Sequence, residues 1–191
     1  MNLPNKLTMA RFLLVPVFMV FAALGGYGTA DASRLMNLLA CIVFSAASFT
    51  DYLDGYLARK QDLVTDFGKF ADPLADKMLT TAALIYMMAD GVCHPVVLAL
   101  VLFREFAVAG VRMVAASGGK VIAANIWGKV KTVLQMLTII FYYAAAAIFP
   151  ADAAGLVQLI TQVLCWLVAA VTLISGVIYL WQNRACFIQA K

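Results

Sequence analysis

Charged residues divide the chain into long apolar stretches. No charge falls within Phe12 to Ala30, Leu35 to Thr50, Thr132 to Ala151 or Ala153 to Asn183. A helix needs about 20 apolar residues to cross the hydrocarbon core of a bilayer, so such runs predict spanning helices. With the less uniform stretches between them, six helices are expected, near 9–26, 34–58, 72–90, 95–116, 126–149 and 155–182. Gly25, Gly26 and Gly28, then Gly91 with His94 and Pro95, then Pro150, supply the breaks after the first, third and fifth. The predicted fold is all-α: a polytopic membrane bundle of six transmembrane helices, a single membrane domain over 1–191, without the inverted symmetry of transporters.

Composition removes the competing classes. Hydrophobic residues make up 64% of the 191 positions and charged ones 13%, against roughly 45–50% apolar residues in soluble domains. A soluble enzyme, a disordered chain and a disulfide-stapled module are excluded. Cys41, Cys93, Cys165 and Cys186 show no C-x-x-C spacing, which argues against a thiolate metal site. The net charge of +4 is no nucleic-acid signature and suits anionic lipid headgroups.

The placement of charge orients the bundle. Of 14 Lys and Arg residues, Arg34 alone falls on one side and Arg104 lies within a span; the rest gather on the other side. By the positive-inside rule that side is cytoplasmic, with both termini there, as an even number of spans requires. The Cys93 thiol is then expected to be accessible from outside.

Six of the ten acidic residues lie between Asp51 and Asp76. Asp51 and Asp54 are three apart at the cytoplasmic end of the second helix, and Asp72 and Asp76 are four apart at the start of the third. Each pair shares a helical face, with Cβ atoms about 5–6 Å apart. Four carboxylates converging at the membrane boundary repel one another and lose hydration unless cations answer them. Oxygen-only ligands favour Mg²⁺ or Mn²⁺, and two ions roughly 3.5–4 Å apart can clamp a pyrophosphate for in-line displacement. Gly55 and Gly68 allow a phosphate or nucleotide to approach the backbone, and Arg59 offers a planar fork for phosphate oxygens. The competing reading is a solvated loop in which Asp72 caps a helix beginning at Pro73.

The segment Asp51-Tyr-Leu-Asp54-Gly55-Tyr-Leu-Ala58-Arg59, followed by Gly68, Asp72 and Asp76 at fixed gaps, resembles the signature of the CDP-alcohol phosphotransferase family, with every fixed position filled. That resemblance implies a six-helix bundle that transfers a substituted phosphoryl group from a CDP-linked donor to an alcohol and releases CMP. It also implies two divalent ions among Asp51, Asp54, Asp72 and Asp76, with Asp76 as general base. Gly55, Ala58, Arg59 and Gly68 would line the CDP pocket, and a homodimer in the bacterial inner membrane is implied.

The opening Asn2-Leu-Pro-Asn5-Lys-Leu-Thr8-Met-Ala-Arg11 is similar to the start of bacterial phosphatidylglycerophosphate synthases. This likeness implies CDP-diacylglycerol as donor and sn-glycerol 3-phosphate as acceptor. Arg112, Lys129 and Lys131 are the candidates for the acceptor phosphate, with headgroup anchoring as the alternative for the lysines. Arg104, about 15 Å into the fourth helix, needs a partner or water; Glu105 points about 100° away from it around the helix. Phe141, Tyr142, Tyr143, Tyr179 and Trp181 read as interfacial or lipid-facing aromatics, and Ser175 with Gly176 as a close-packing site. Two alternatives stay open, a synthase with another acceptor (serine, inositol phosphate or a lipid) and a divalent-cation transporter.

Overall fold

The computed structural model describes the backbone of residues 3–26, 31–60, 66–117, 125–149 and 153–184, and the side chains of 9–26, 33–50, 74–116, 125–149 and 153–184. These residues form six helices: α1 (Leu3–Leu24), α2 (Asp31–Lys60), α3 (Asp66–Ala89), α4 (Pro95–Ser117), α5 (Ile126–Ile148) and α6 (Ala154–Gln182). Among the described residues there is no strand, so the chain is the all-α membrane bundle that its hydropathy predicts. Among the described residues, three stretches are long and apolar enough to cross a membrane by themselves, Ser33–Thr50, Ile126–Ile148 and Ala154–Gln182, and Met9–Leu24 is a shorter apolar helix. The central and final parts of α3 and α4 share the core but carry Asp76, Lys77, Arg104, Glu105 and Arg112.

Helix ends follow local chemistry. Asn125 caps α5, its side-chain oxygen accepting from the Trp127 amide at 3.3 Å. Pro95 opens α4, where a missing N–H costs nothing, and the His94 ring nitrogen Nδ1 accepts from the Val96 amide. Between α3 and α4 the chain turns through Gly91 at φ +75°, a left-handed conformation that glycine adopts without penalty. At the end of α1 the carbonyl of Gly26 accepts from Asn37 Nδ2, and any side chain at Gly25 would collide with Asn37.

All six helices contribute to one apolar core. α1 packs on α2 and α3, α5 on α2 and α6, and α4 on α6. Where α1, α2 and α5 cross, the Phe18 ring lies 5.8 Å from Phe44 and meets Tyr143 edge-on at 5.4 Å, a preferred aromatic geometry. Ala40, Ala47, Ala82 and Ala83 are buried between helices, where small side chains permit close approach. Outward faces are apolar: Leu13, Phe103, Leu137, Val163 and Val177 are all exposed, as lipid-facing residues must be.

Two sequence expectations are corrected here. Tyr142, Tyr143 and Tyr179 are not lipid-facing but fully buried. For two of them the reason is a hydroxyl partner inside the bundle: Tyr142 donates to Asp90 Oδ2 at 2.6 Å, and Tyr179 accepts from Arg112. Trp181 is exposed as expected. Cys93 is also buried rather than accessible, packed in the core at the turn before α4.

Candidate active site

The acidic signature spans the facing ends of two consecutive helices. Asp51, Asp54, Gly55, Ala58 and Arg59 fall in the last three turns of α2, and Gly68, Asp72 and Asp76 in the first three of α3. The side chains of Asp51, Asp54, Gly55, Ala58, Arg59, Gly68 and Asp72 lie outside the described residues. Asp76 is described: it is half-buried, its carbonyl accepts from Thr80 Oγ1 at 3.0 Å, and its carboxylate interacts electrostatically with Lys131 of α5. Among the described residues no three His, Cys, Asp or Glu side chains come together as a metal site.

Beside Asp76 lies an ion network. Glu105 Oε1 accepts from Lys131 Nζ at 2.8 Å and from Arg104 Nη1 at 2.9 Å, and Lys77 Nζ stands 3.8 Å from Oε2. Lys131 is only 4% exposed, so its charge has little water and depends on the carboxylate. The pairing of Glu105 with its sequence neighbour corrects the angular argument above. Although the two Cβ atoms diverge, the long arginine arm bends back far enough to reach. Arg104 Nη2 also donates to Ser175 Oγ of α6 at 2.9 Å.

Two cavities meet at this network. The polar one, about 470 Å³, is lined by Arg104, Arg112, Lys129, Glu105, Ser48 and Tyr179 among others. Ser48 is one turn before Asp51 on α2. The structure thus brings Arg112 and Lys129 together with Arg104. Arg112 Nε donates to the Tyr179 hydroxyl at 3.2 Å, and its guanidinium lies 5.7 Å from the centre of that ring, which braces it toward the opening. The second cavity, about 480 Å³, has apolar walls that include Met19, Met78, Ile85 and Phe106. Its polar end is formed by Lys77, Glu105 and Lys131. Lys131 therefore faces the apolar cavity and Glu105 rather than joining Arg112 and Lys129.

Ser175 and Tyr179, four apart on α6, and Arg104 with Arg112, eight apart on α4, form matched polar stripes on facing helices. Polar residues at helical spacing inside an apolar run were the available signal for Ser175 and Tyr179 as site residues.

A model of the CDP-alcohol phosphatidyltransferase family matches residues 1–177. The chain belongs to the CDP-alcohol phosphatidyltransferase family. It is similar to the CDP-diacylglycerol–glycerol-3-phosphate 3-phosphatidyltransferase of Bacillus subtilis, at 46% identity over 143 residues, covering 72% of this chain and 74% of the relative. The protein of the same name from Rickettsia felis is 34% identical over 187 residues, 97% of this chain and 95% of that one. A probable phosphatidylglycerophosphate synthase of Mycobacterium tuberculosis is 36% identical over 178 residues, 93% of this chain and 79% of that one. As a phosphatidyltransferase family member the chain is an enzyme, and the transporter alternative falls.

Proposed function

We propose that this family member transfers the phosphatidyl group of CDP-diacylglycerol to sn-glycerol 3-phosphate, giving phosphatidylglycerol phosphate and CMP. The observation that carries the reading is the polar cavity, where Arg104, Arg112 and Lys129 outnumber a single carboxylate, Glu105. A phosphate monoester carries close to two negative charges at neutral pH, and such a cavity offers it charge and planar donors. The relatives from Bacillus subtilis and Rickettsia felis are named for transfer to glycerol 3-phosphate, which supports the same acceptor.

In this reading Arg112 and Lys129 hold the acceptor phosphate, with Lys131 contributing positive potential from behind Glu105. Asp76 takes the proton from the acceptor hydroxyl as that oxygen forms a bond to the β-phosphorus of the donor. The bond from that phosphorus to the CMP oxygen breaks in line. Gly55, Ala58, Arg59 and Gly68 line the donor's CDP. Asp51, Asp54, Asp72 and Asp76 form an oxygen-only donor set on two consecutive helix ends, chemistry that fits Mg²⁺ or Mn²⁺. Two such ions would supply neutralisation of the diphosphate charge. The apolar cavity beside Lys77 suits a lipid chain entering from the bilayer. Basic residues at this end of the bundle support a site at the cytoplasmic face of the inner membrane, and family resemblance supports a homodimer.

The test is CMP release by purified protein. Turnover of CDP-diacylglycerol should require both glycerol 3-phosphate and Mg²⁺ or Mn²⁺, and Asp76→Asn should nearly abolish it without loss of helical content. Metal-independent turnover, or preference for serine or inositol phosphate, would overturn the assignment.

A further inference from the structure

Arg104 enters the polar cavity under tight steric control. Its Nη1 is held by Glu105 and its Nη2 by Ser175, while its buried Nε has no hydrogen-bond partner. Two glycines from different helices make room for it. A Cβ added at Gly128 of α5 would stand 2.9 Å from Arg104 Nη2, and one added at Gly176 of α6 would stand 3.2 Å from Arg104 Cγ. Gly128 itself lines the polar cavity. Both distances are tighter than ordinary carbon contact, so an alanine at either site must move the arginine. At Gly128 the atom met is the tip of a flexible side chain, which can yield without unfolding a helix; at Gly176 it is Cγ, so the arginine must turn about its first bonds by a few tenths of an ångström, and alanine is the better helix former at both sites. The expected consequence is therefore a displaced guanidinium in an intact bundle.

We propose that Gly128 and Gly176 are specificity-determining positions that act through Arg104: they seat its guanidinium as a further contact for the acceptor's phosphate. The cavity then selects a phosphate-bearing alcohol over a neutral one. This rests on the acceptor reading above and adds a side chain and two positions to it. A guanidinium already fixed by Glu105 and Ser175 loses little freedom when an anion arrives, which makes each hydrogen bond to it more effective. Arg104 and Arg112 sit eight residues apart on α4 and line the same cavity, so the pair can address oxygens of one phosphate from two levels.

The experiment is initial-rate kinetics on the full chain, with glycerol 3-phosphate varied at saturating CDP-diacylglycerol and divalent metal, and with inorganic phosphate as competing ligand. Arg104→Lys and Gly128→Ala should each raise the acceptor KM roughly tenfold, the loss expected for one charge-assisted contact. Each should weaken phosphate inhibition in parallel, while the donor KM moves much less. In the double variant the alanine should add little, because lysine has no Nη2 for the new Cβ to meet. Gly176→Ala should act in the same direction, and Gly155→Ala, with nothing within 4 Å of its added carbon, should leave the rates unchanged. Losses that multiply in the double variant, or donor and acceptor KM rising together, would overturn the proposal. If the unaltered protein ignores glycerol 3-phosphate, the acceptor reading fails separately. Phosphate inhibition measured with whichever alcohol is used then still decides whether the glycines seat an anion contact.

Discussion

An ionised carboxylate persists inside an apolar helix only when its charge is answered nearby, and Glu105 is answered by Lys131, Arg104 and Lys77. The dependence is unequal. Lys131, nearly sealed from solvent, has the carboxylate as its close partner, whereas Glu105 keeps Arg104 if the lysine is lost. Glu105→Leu should therefore destabilise the protein by about 3–5 kcal/mol, the cost of stranding a buried ion, and Lys131→Met by clearly less. Thermal unfolding of the two variants in detergent checks the order, and equal midpoints would contradict it. At this scale the sequence was legible where the chemistry is local. The acidic signature and the arginine spacing on α4 could be read directly. The Glu105 to Lys131 pair, 26 positions apart, could not, because it depends on how α4 and α5 come together. Tyr179 was misread for a related reason: an aromatic near a helix end looks interfacial until a guanidinium from a neighbouring helix is found at its hydroxyl.

Among elements, hydropathy located every helix and misjudged some lengths. α4, α5 and α6 end within a residue or two of the expected limits, while α1 starts at Leu3 instead of residue 9 and α3 at Asp66 instead of 72. An apolar window cannot register a polar helical turn that projects beyond the hydrocarbon, and the turn added at the start of α3 carries Asp66 and Gly68. The α3 to α4 connection gives a test at this scale. Burial pushes the Asp90 carboxyl above the ordinary carboxylate range, partly offset by the hydrogen bond from Tyr142. The folded state thus binds this proton more tightly than the unfolded chain. Its contribution to stability is complete below the ordinary carboxylate pKa and is lost as pH rises through the elevated value. Asp90→Asn, neutral at every pH, should raise the unfolding midpoint at neutral pH and show a shrinking advantage toward acid. An advantage constant with pH would mean that ionisation is not its source.

At the scale of the molecule, the bundle has two unlike ends. The α1 to α2 and α3 to α4 connections lie at one end, where Gly26 approaches Asp90 and both Gln158 and Gln162 donate to the Gly91 carbonyl. At the other, Asn125 before α5 meets Gln182 at the end of α6, close to the polar cavity. In the proposed orientation the first end faces the outside and the second the cytoplasm, as the charge bias suggests. Since Cys93 is buried, the thiol test of that orientation belongs at exposed positions. In intact cells an impermeant maleimide should label His94→Cys and spare Arg184→Cys; the opposite pattern would reverse the assignment.

Because Glu105 lines both the charged chamber and the greasy one, a single side chain serves as their party wall. On the proposed function, a water-soluble ester and a two-tailed lipid sliding in sideways would each have a private entrance. Neither has to wait for the other to clear the way, so their order of arrival need not be fixed.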